Sequence, residues 1–216
     1  MPHRIPLLRS LIRLFFADYL RLVEPDSAEH LRPEEASFLI PRRDLSNWNE
    51  EDELGVVAEV PTRRDETVTV LVQVEPEACP PAEISDRIGG YFLDLEIRYC
   101  QPVLLSVVYL RGGRPGVHLE SAAVGKVGGV EVLRMFYTSF GLSGARAEYY
   151  LDRPEPLAWA LAALMRPARL SPSEHRKTCL DRIAGAGLDD KVRLLLSRSA
   201  EVFLELGVDA CIHDRV

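Results

Sequence analysis

The chain has 216 residues, 47% of them hydrophobic, with 26 basic against 33 acidic side chains and a formal net charge of −7. That length suits one domain of about 100–200 residues, or one domain with an appendage. No apolar run approaches the ~18 residues that would span a bilayer, and an acidic chain holds nucleic acid only if its charge is locally reversed. In chain order, Leu8, Leu11, Ile12, Phe15, Phe16, Tyr19, Leu20 and Val23 recur at helical spacing and predict one helix over 5–24. Pro25 is read as its stop and Ser27 as the cap of a short turn over 28–31. Residues 36–41 form a short strand candidate, and 42–53 a polar loop ending in Glu50-Glu51-Asp52-Glu53. Two β-rich runs, 54–60 and 67–75, flank the polar turn 61–66 and predict a hairpin. Residues 83–99 read as an amphipathic helix, although Gly89-Gly90 weakens it by about 1 kcal/mol per Gly or marks close packing on a sheet. The nearly all-apolar run 102–110 reads as a strand covered on both faces. A Gly-rich turn follows at 111–116, then strand candidates at 117–123 and 130–140. From Pro156 the pattern becomes helical, over 157–165, 173–184 and 189–206. The expected architecture is α/β: a core over 1–140 with a central mixed sheet flanked by helices, and a helical C-terminal extension over 141–216 packed on it.

Cys79, Cys100, Cys179 and Cys211 have no C-x-x-C spacing. That argues against zinc and a disulfide framework and fits a reducing cytoplasm. The run Leu11–Phe16 is broken by Arg13 and lacks a small-residue cleavage site, so no signal peptide is expected. The five histidines lack metal-ligand spacing and read as surface or packing residues. Of the 26 basic residues only three are lysines, which leaves 23 arginines. Arginine is the better bidentate phosphate ligand, and skewed genomic base composition produces the same imbalance. Between Arg166 and Arg198 there are eight basic residues and four acids, a local excess of +4. Such a segment is either an ordinary helix surface or an electrostatic footprint for DNA, in which case Arg176 and Lys177 would contact phosphates.

The strand 67–75 carries the most specific chemistry. Alternate residues of a strand share a face, so Gln73 and Glu75 point one way with Thr69 and Leu71, and Val68, Val70, Val72 and Val74 point into a core. On the preceding strand Glu53, Gly55, Val57 and Glu59 share a face. Hairpin pairing would bring Glu75 near Glu53 and Gly55. Mg²⁺ needs only one or two carboxylates plus waters and substrate phosphates, and there it would polarise a phosphodiester and activate water. The bland alternative is that Glu75 and Glu77 are polar residues at a strand exit, and Glu50–Glu53 a solvated loop.

Read together, these segments resemble the Rpn-type recombination-promoting nuclease/transposase family of the PD-(D/E)XK nuclease superfamily. The resemblance covers most of the chain. It rests on Val72-Gln73-Val74-Glu75-Pro76-Glu77, on Phe15-Phe16-Ala17-Asp18-Tyr19-Leu20, and on Asp86-Arg87-Ile88 leading to Arg98-Tyr99-Cys100-Gln101-Pro102-Val103. Pro154-Glu155-Pro156-Leu157-Ala158-Trp159-Ala160-Leu161 and the final Leu-rich helix add to it. The resemblance implies a restriction-endonuclease-like core in αβββαβ order. It also implies a DNA endonuclease using Mg²⁺ or Mn²⁺ and no small-molecule cofactor. Glu75 would be the principal metal ligand, and Glu77 would stand where Lys or Gln orients water. The family's Asp on the second strand is here Gly55, in Gly55-Val56-Val57-Ala58-Glu59-Val60. Three readings of that departure stand side by side: Glu53 substitutes, Glu59 contributes from the far end of its strand, or the chain is an inactive nuclease-fold module that binds DNA or protein.

Overall fold

The computed structural model describes residues 4–39, 55–127 and 130–213. The N-terminal pattern folds as two helices, α1 (Arg4–Leu14) and α2 (Phe16–Val23), rather than one. Phe15, at φ −110° and ψ 41°, breaks the helical geometry between them. Beyond this break Phe16 turns into the core and meets the ring of Phe38 edge-on at 5.3 Å. Pro25 does more than stop α2: it opens α3 (Pro25–His30) at the first helical position, where a missing N–H costs nothing. Ser27 therefore lies inside α3 instead of capping it. A short 3₁₀ turn at Pro33–Glu35 leads to β1, which is only Ser37–Phe38. Leu54 and the acids Glu50 to Glu53 fall outside the described residues.

β2 (Val56–Pro61) and β3 (Thr67–Glu75) form the expected antiparallel hairpin, in register from Val56 opposite Val72 to Pro61 opposite Thr67. Thr62 closes the turn, its hydroxyl accepting the N–H groups of Arg64 and Glu66. α4 (Pro81–Tyr99) then crosses to β4 (Val103–Tyr109), which lies parallel to β3. The helix tolerates its glycine pair, but Gly90 is not a close-packing site, since a Cβ there would meet nothing within 4 Å. β5 (Gly116–Val127) and β6 (Val130–Gly141) form a longer hairpin than the sequence pattern suggests, with an irregularity at Gly125. The six strands make one mixed sheet in the order β1-β2-β3-β4-β6-β5. The sequence pattern gives no sign of α5 (Ala147–Leu151), because a helix of one and a half turns has no periodicity to read. α6 (Pro156–Ala162), α7 (Pro172–Ala184) and α8 (Asp190–His213) follow.

Strand parity divides the interior into two layers. On one face Val70, Val72 and Val74 pack with Leu8, Leu11, Phe16, Tyr19 and Leu20 from the N-terminal helices. Leu157, Trp159, Leu161, Cys179, Leu196 and Phe203 from α6, α7 and α8 join that same cluster. The C-terminal helices therefore complete the core of this face rather than lying on its outside. On the other face Leu71, Leu105, Val107, Tyr109 and Tyr137 pack beneath Ile84, Ile88 and Leu95 of α4. No helix among the described residues is long and apolar enough to cross a membrane.

Candidate functional site

Glu75 is the last residue of β3, and strand parity turns it under α4, where its side chain is only 1% exposed. It has an amide for company. Gln73, two residues earlier on the same face and 8% exposed, donates from Nε2 to Glu75 Oε1 at 3.2 Å. The Gln73 Oε1 in turn accepts the backbone N–H of Gly55 at 3.1 Å. A chain of hydrogen bonds thus runs from the start of β2 through Gln73 to the Glu75 carboxylate. The buried amide, a residue that the apolar pattern of β3 would not demand, finds the partners such a group requires.

Gly55 itself occupies a place with no room for a side chain. A Cβ built there would stand 1.7 Å from the carbonyl oxygen of Val72 and 2.8 Å from the Cα of Gln73. An aspartate at this position would require β2 and β3 to move apart. Glu77 lies just past the strand in a bend and is exposed, so it does not share the burial of Glu75. Glu59 is opposite Thr69, six residues before Glu75, which separates the two carboxylates by roughly 20 Å along the strand. Glu59 instead accepts from Gln101 Nε2 at 3.4 Å, and Gln101 accepts from the Thr69 hydroxyl at 3.2 Å. Glu53 lies outside the described residues. Of the three expected acids among the described residues, only Glu75 is a buried carboxylate at the strand end, and neither Glu59 nor Glu77 joins it. Among the described residues no three His, Cys, Asp or Glu side chains converge as a metal site. Among the described residues, with one carboxylate partly engaged by an amide and a backbone carbonyl packed beside Gly55, the donor set does not fit a Mg²⁺ centre.

A second polar group sits on the same face two strands further on. Tyr109, the register partner of Glu75 on β4, lies in the same buried cluster as Tyr137 of β6. Tyr137 donates to Glu120 Oε2 at 3.0 Å, and Ser139 donates to Glu120 Oε1 at 2.7 Å. Burial pushes both phenols above their ordinary range, and the Glu120 charge pushes the same way. Both stay protonated at neutral pH, and Tyr137 is the donor to Glu120. The alternation of Tyr137 with Ser139, and of His118 with Glu120, was the available sequence signal for this group. It needed the pairing of β5 with β6 to become meaningful, because Glu120 is opposite Tyr137 only in that register. The motif residue Asp18 lies on the opposite face. Its Oδ2 accepts the Leu157 N–H at 3.4 Å, at the start of α6, and burial raises its carboxyl above the ordinary range. Asp18 thus ties the N-terminal motif to the Pro154–Leu161 segment and holds a helix end.

Comparison with protein-family models, with curated proteins and with solved structures gave no match.

Proposed function

We propose that this chain is a noncatalytic, nuclease-fold binding module of the Rpn type, in which hydrogen bonds have replaced the metal site. The antiparallel β1-β2-β3 meander, a crossing helix and a strand parallel to β3 follow the element order that the resemblance implies. The observation that carries the loss of catalysis is the Gly55–Gln73–Glu75 chain. The amide of Gln73 occupies an oxygen that a metal would need, and the Val72 carbonyl fills the space beside Gly55.

A plasmid-nicking assay with Mg²⁺ and with Mn²⁺ tests this reading. Wild type and Glu75→Ala are expected to leave supercoiled DNA equally intact. The competing reading is a metal-dependent DNA endonuclease with Glu75 as ligand, and the buried carboxylate at the end of β3 is the observation that favours it. Metal-dependent nicking by the wild type that disappears in Glu75→Ala would establish that reading and overturn ours.

A further inference from the structure

The carboxyl ends of β3, β4 and β6 lie on one edge of the sheet, because these strands run parallel. Three connecting segments are stitched together there. The turn after β4 is joined to the segment after β6 by the Gly112 N–H to the Ser143 hydroxyl at 3.2 Å and by the bridge between Pro115 and Gly141. Gly112, Gly113 and Gly116 all have positive φ, 66°, 75° and 86°, which lets this turn fold back tightly on its neighbour. The segment after β6 is joined to the one after α6 by the bridge between Arg146 and Arg166, with Arg166 N–H to Ala145 O at 2.9 Å and Ala147 N–H to Arg166 O at 3.1 Å. The N–H groups of Ala168 and Arg169 then bind Glu148 Oε1 at 2.8 and 3.1 Å.

These links collect five arginines from three separated stretches of sequence: Arg111, Arg114, Arg146, Arg166 and Arg169. Arg111 is half-buried and the other four are exposed. Ser143 and Arg146 are three Cα steps apart, a reach of at most ~10 Å, so the turn after β4 and the Arg146–Arg166 pair are close neighbours. None of the five guanidinium groups has an ion-pair partner among the described residues. The nearby acids are few. Glu148 is turned to backbone N–H groups: burial raises its carboxyl, and these bonds outweigh that effect and hold it below its ordinary range. Glu77 lies at the β3 end of the edge. Tyr149 on α5, three residues after Arg146, is 61% exposed, and its ring lies nearly perpendicular to that of Tyr150 at 5.2 Å rather than stacked on it.

We infer that this edge binds the phosphodiester backbone of single-stranded nucleic acid, with the arginines as phosphate ligands and Tyr149 as a stacking surface. In a chain of net charge −7, five arginines brought to one sheet edge by these backbone links, none ion-paired among the described residues, form a local reversal of sign. Arginine suits phosphate through its planar, bidentate donor geometry. An exposed aromatic ring among cations is the arrangement by which single strands are held without base readout. The inference rests on the noncatalytic reading only in that the strand is held and not cut.

The experiment is fluorescence anisotropy of the full chain with a short labelled oligothymidylate over a range of salt. Binding is expected to weaken with rising salt at a log–log slope of about −0.7 per phosphate contacted, so about −3.5 for five. Arg146→Ala with Arg166→Ala should flatten that slope by about 1.4, at unchanged melting temperature. Tyr149→Ala should weaken binding about fivefold or more without changing the slope, since stacking contributes about 1–3 kcal/mol per base. Lys177→Ala on α7 is the control and should leave both quantities unchanged. Absence of binding at low salt, a slope untouched by the paired arginine substitution, or equal loss with Lys177→Ala would overturn the inference. Competition by heparin as effective as that by oligothymidylate, with Tyr149→Ala silent, would show a generic polyanion surface and overturn it too. These readouts do not depend on nicking, so the two proposals fail separately.

Discussion

Gln73 and Gly55 form the part of the molecule where single atoms decide most. The Gln73 amide links two groups, accepting the Gly55 N–H and donating to one oxygen of the buried Glu75. An orphaned buried polar group costs about 1–3 kcal/mol, which exceeds the gain of an ordinary hydrogen bond. Gln73→Leu removes the partner of the Gly55 N–H and should therefore lower stability by about 1–3 kcal/mol despite the added hydrophobicity. Urea titration of the two proteins measures this, and a Gln73→Leu variant as stable as wild type would show that the chain of bonds is dispensable. Gly55 is constrained differently. Even Gly55→Ala places a carbon 1.7 Å from the Val72 oxygen, and strain of this kind typically costs about 1–3 kcal/mol. Gly55→Asp should thus destabilise the hairpin and produce no nicking activity. A stable Gly55→Asp protein with new Mg²⁺-dependent nicking would mean that β2 and β3 separate readily.

At the scale of elements, α7 contributes a pH dependence of definite sign. His175 is buried on its inner side with the Cys179 sulfur 3.7 Å from Nδ1. Burial lowers the imidazole pKa, while the charge of Glu148 opposes this without overcoming it. A histidine whose folded pKa is depressed is protonated more readily in the unfolded chain, so its contribution to stability is lost as pH falls below about 6.5. Asp18 and Glu24, raised by burial, act oppositely at lower pH. Melting temperatures at pH 7.5 and 5.5 should show a drop for wild type that is smaller for His175→Gln. Equal drops would place the titration elsewhere. Such a burial-dependent property could not be read from a lone histidine in the sequence, but most elements could. The run 67–75 alternates Val with Thr, Leu, Gln and Glu, and β3 has those bounds. Phe15 was harder: it sits in an unbroken helical pattern, and the break shows only in the structure, where Phe16 meets Phe38. The acids were legible as residue types and as faces. The sequence already places Glu59 at the far end of its strand, and the register fixes its separation from Glu75 at six residues. The arginine edge draws on positions 111 to 169 and has no linear signature at all.

For the whole molecule, the question is whether residues 1–140 could stand without the helices that follow. The sequence suggests a core with an appendage, since the change to a helical pattern is sharp near Pro156. The packing argues that the two are one cooperative unit. Leu157, Trp159, Leu161 and Phe203 lie in the same buried cluster as Val70, Val72 and Phe140 of the sheet. Each large apolar side chain that becomes buried contributes about 1.5–3 kcal/mol, so these four alone supply about 6–12 kcal/mol. That is comparable to the whole net stability of a typical domain, about 5–15 kcal/mol. Removing them would also leave the Val70, Val72 and Val74 face facing water, with only α1 and α2 to cover it. A chain ended after Phe140 should therefore lack a cooperative thermal transition and be rapidly digested by protease. The full chain should unfold in one step, with the near-ultraviolet signals of its tyrosine and tryptophan residues changing together with the helical signal. A folded, protease-resistant 1–140 fragment, or two resolved transitions in the full chain, would show that the helices are an addition to the sheet rather than one of its two walls.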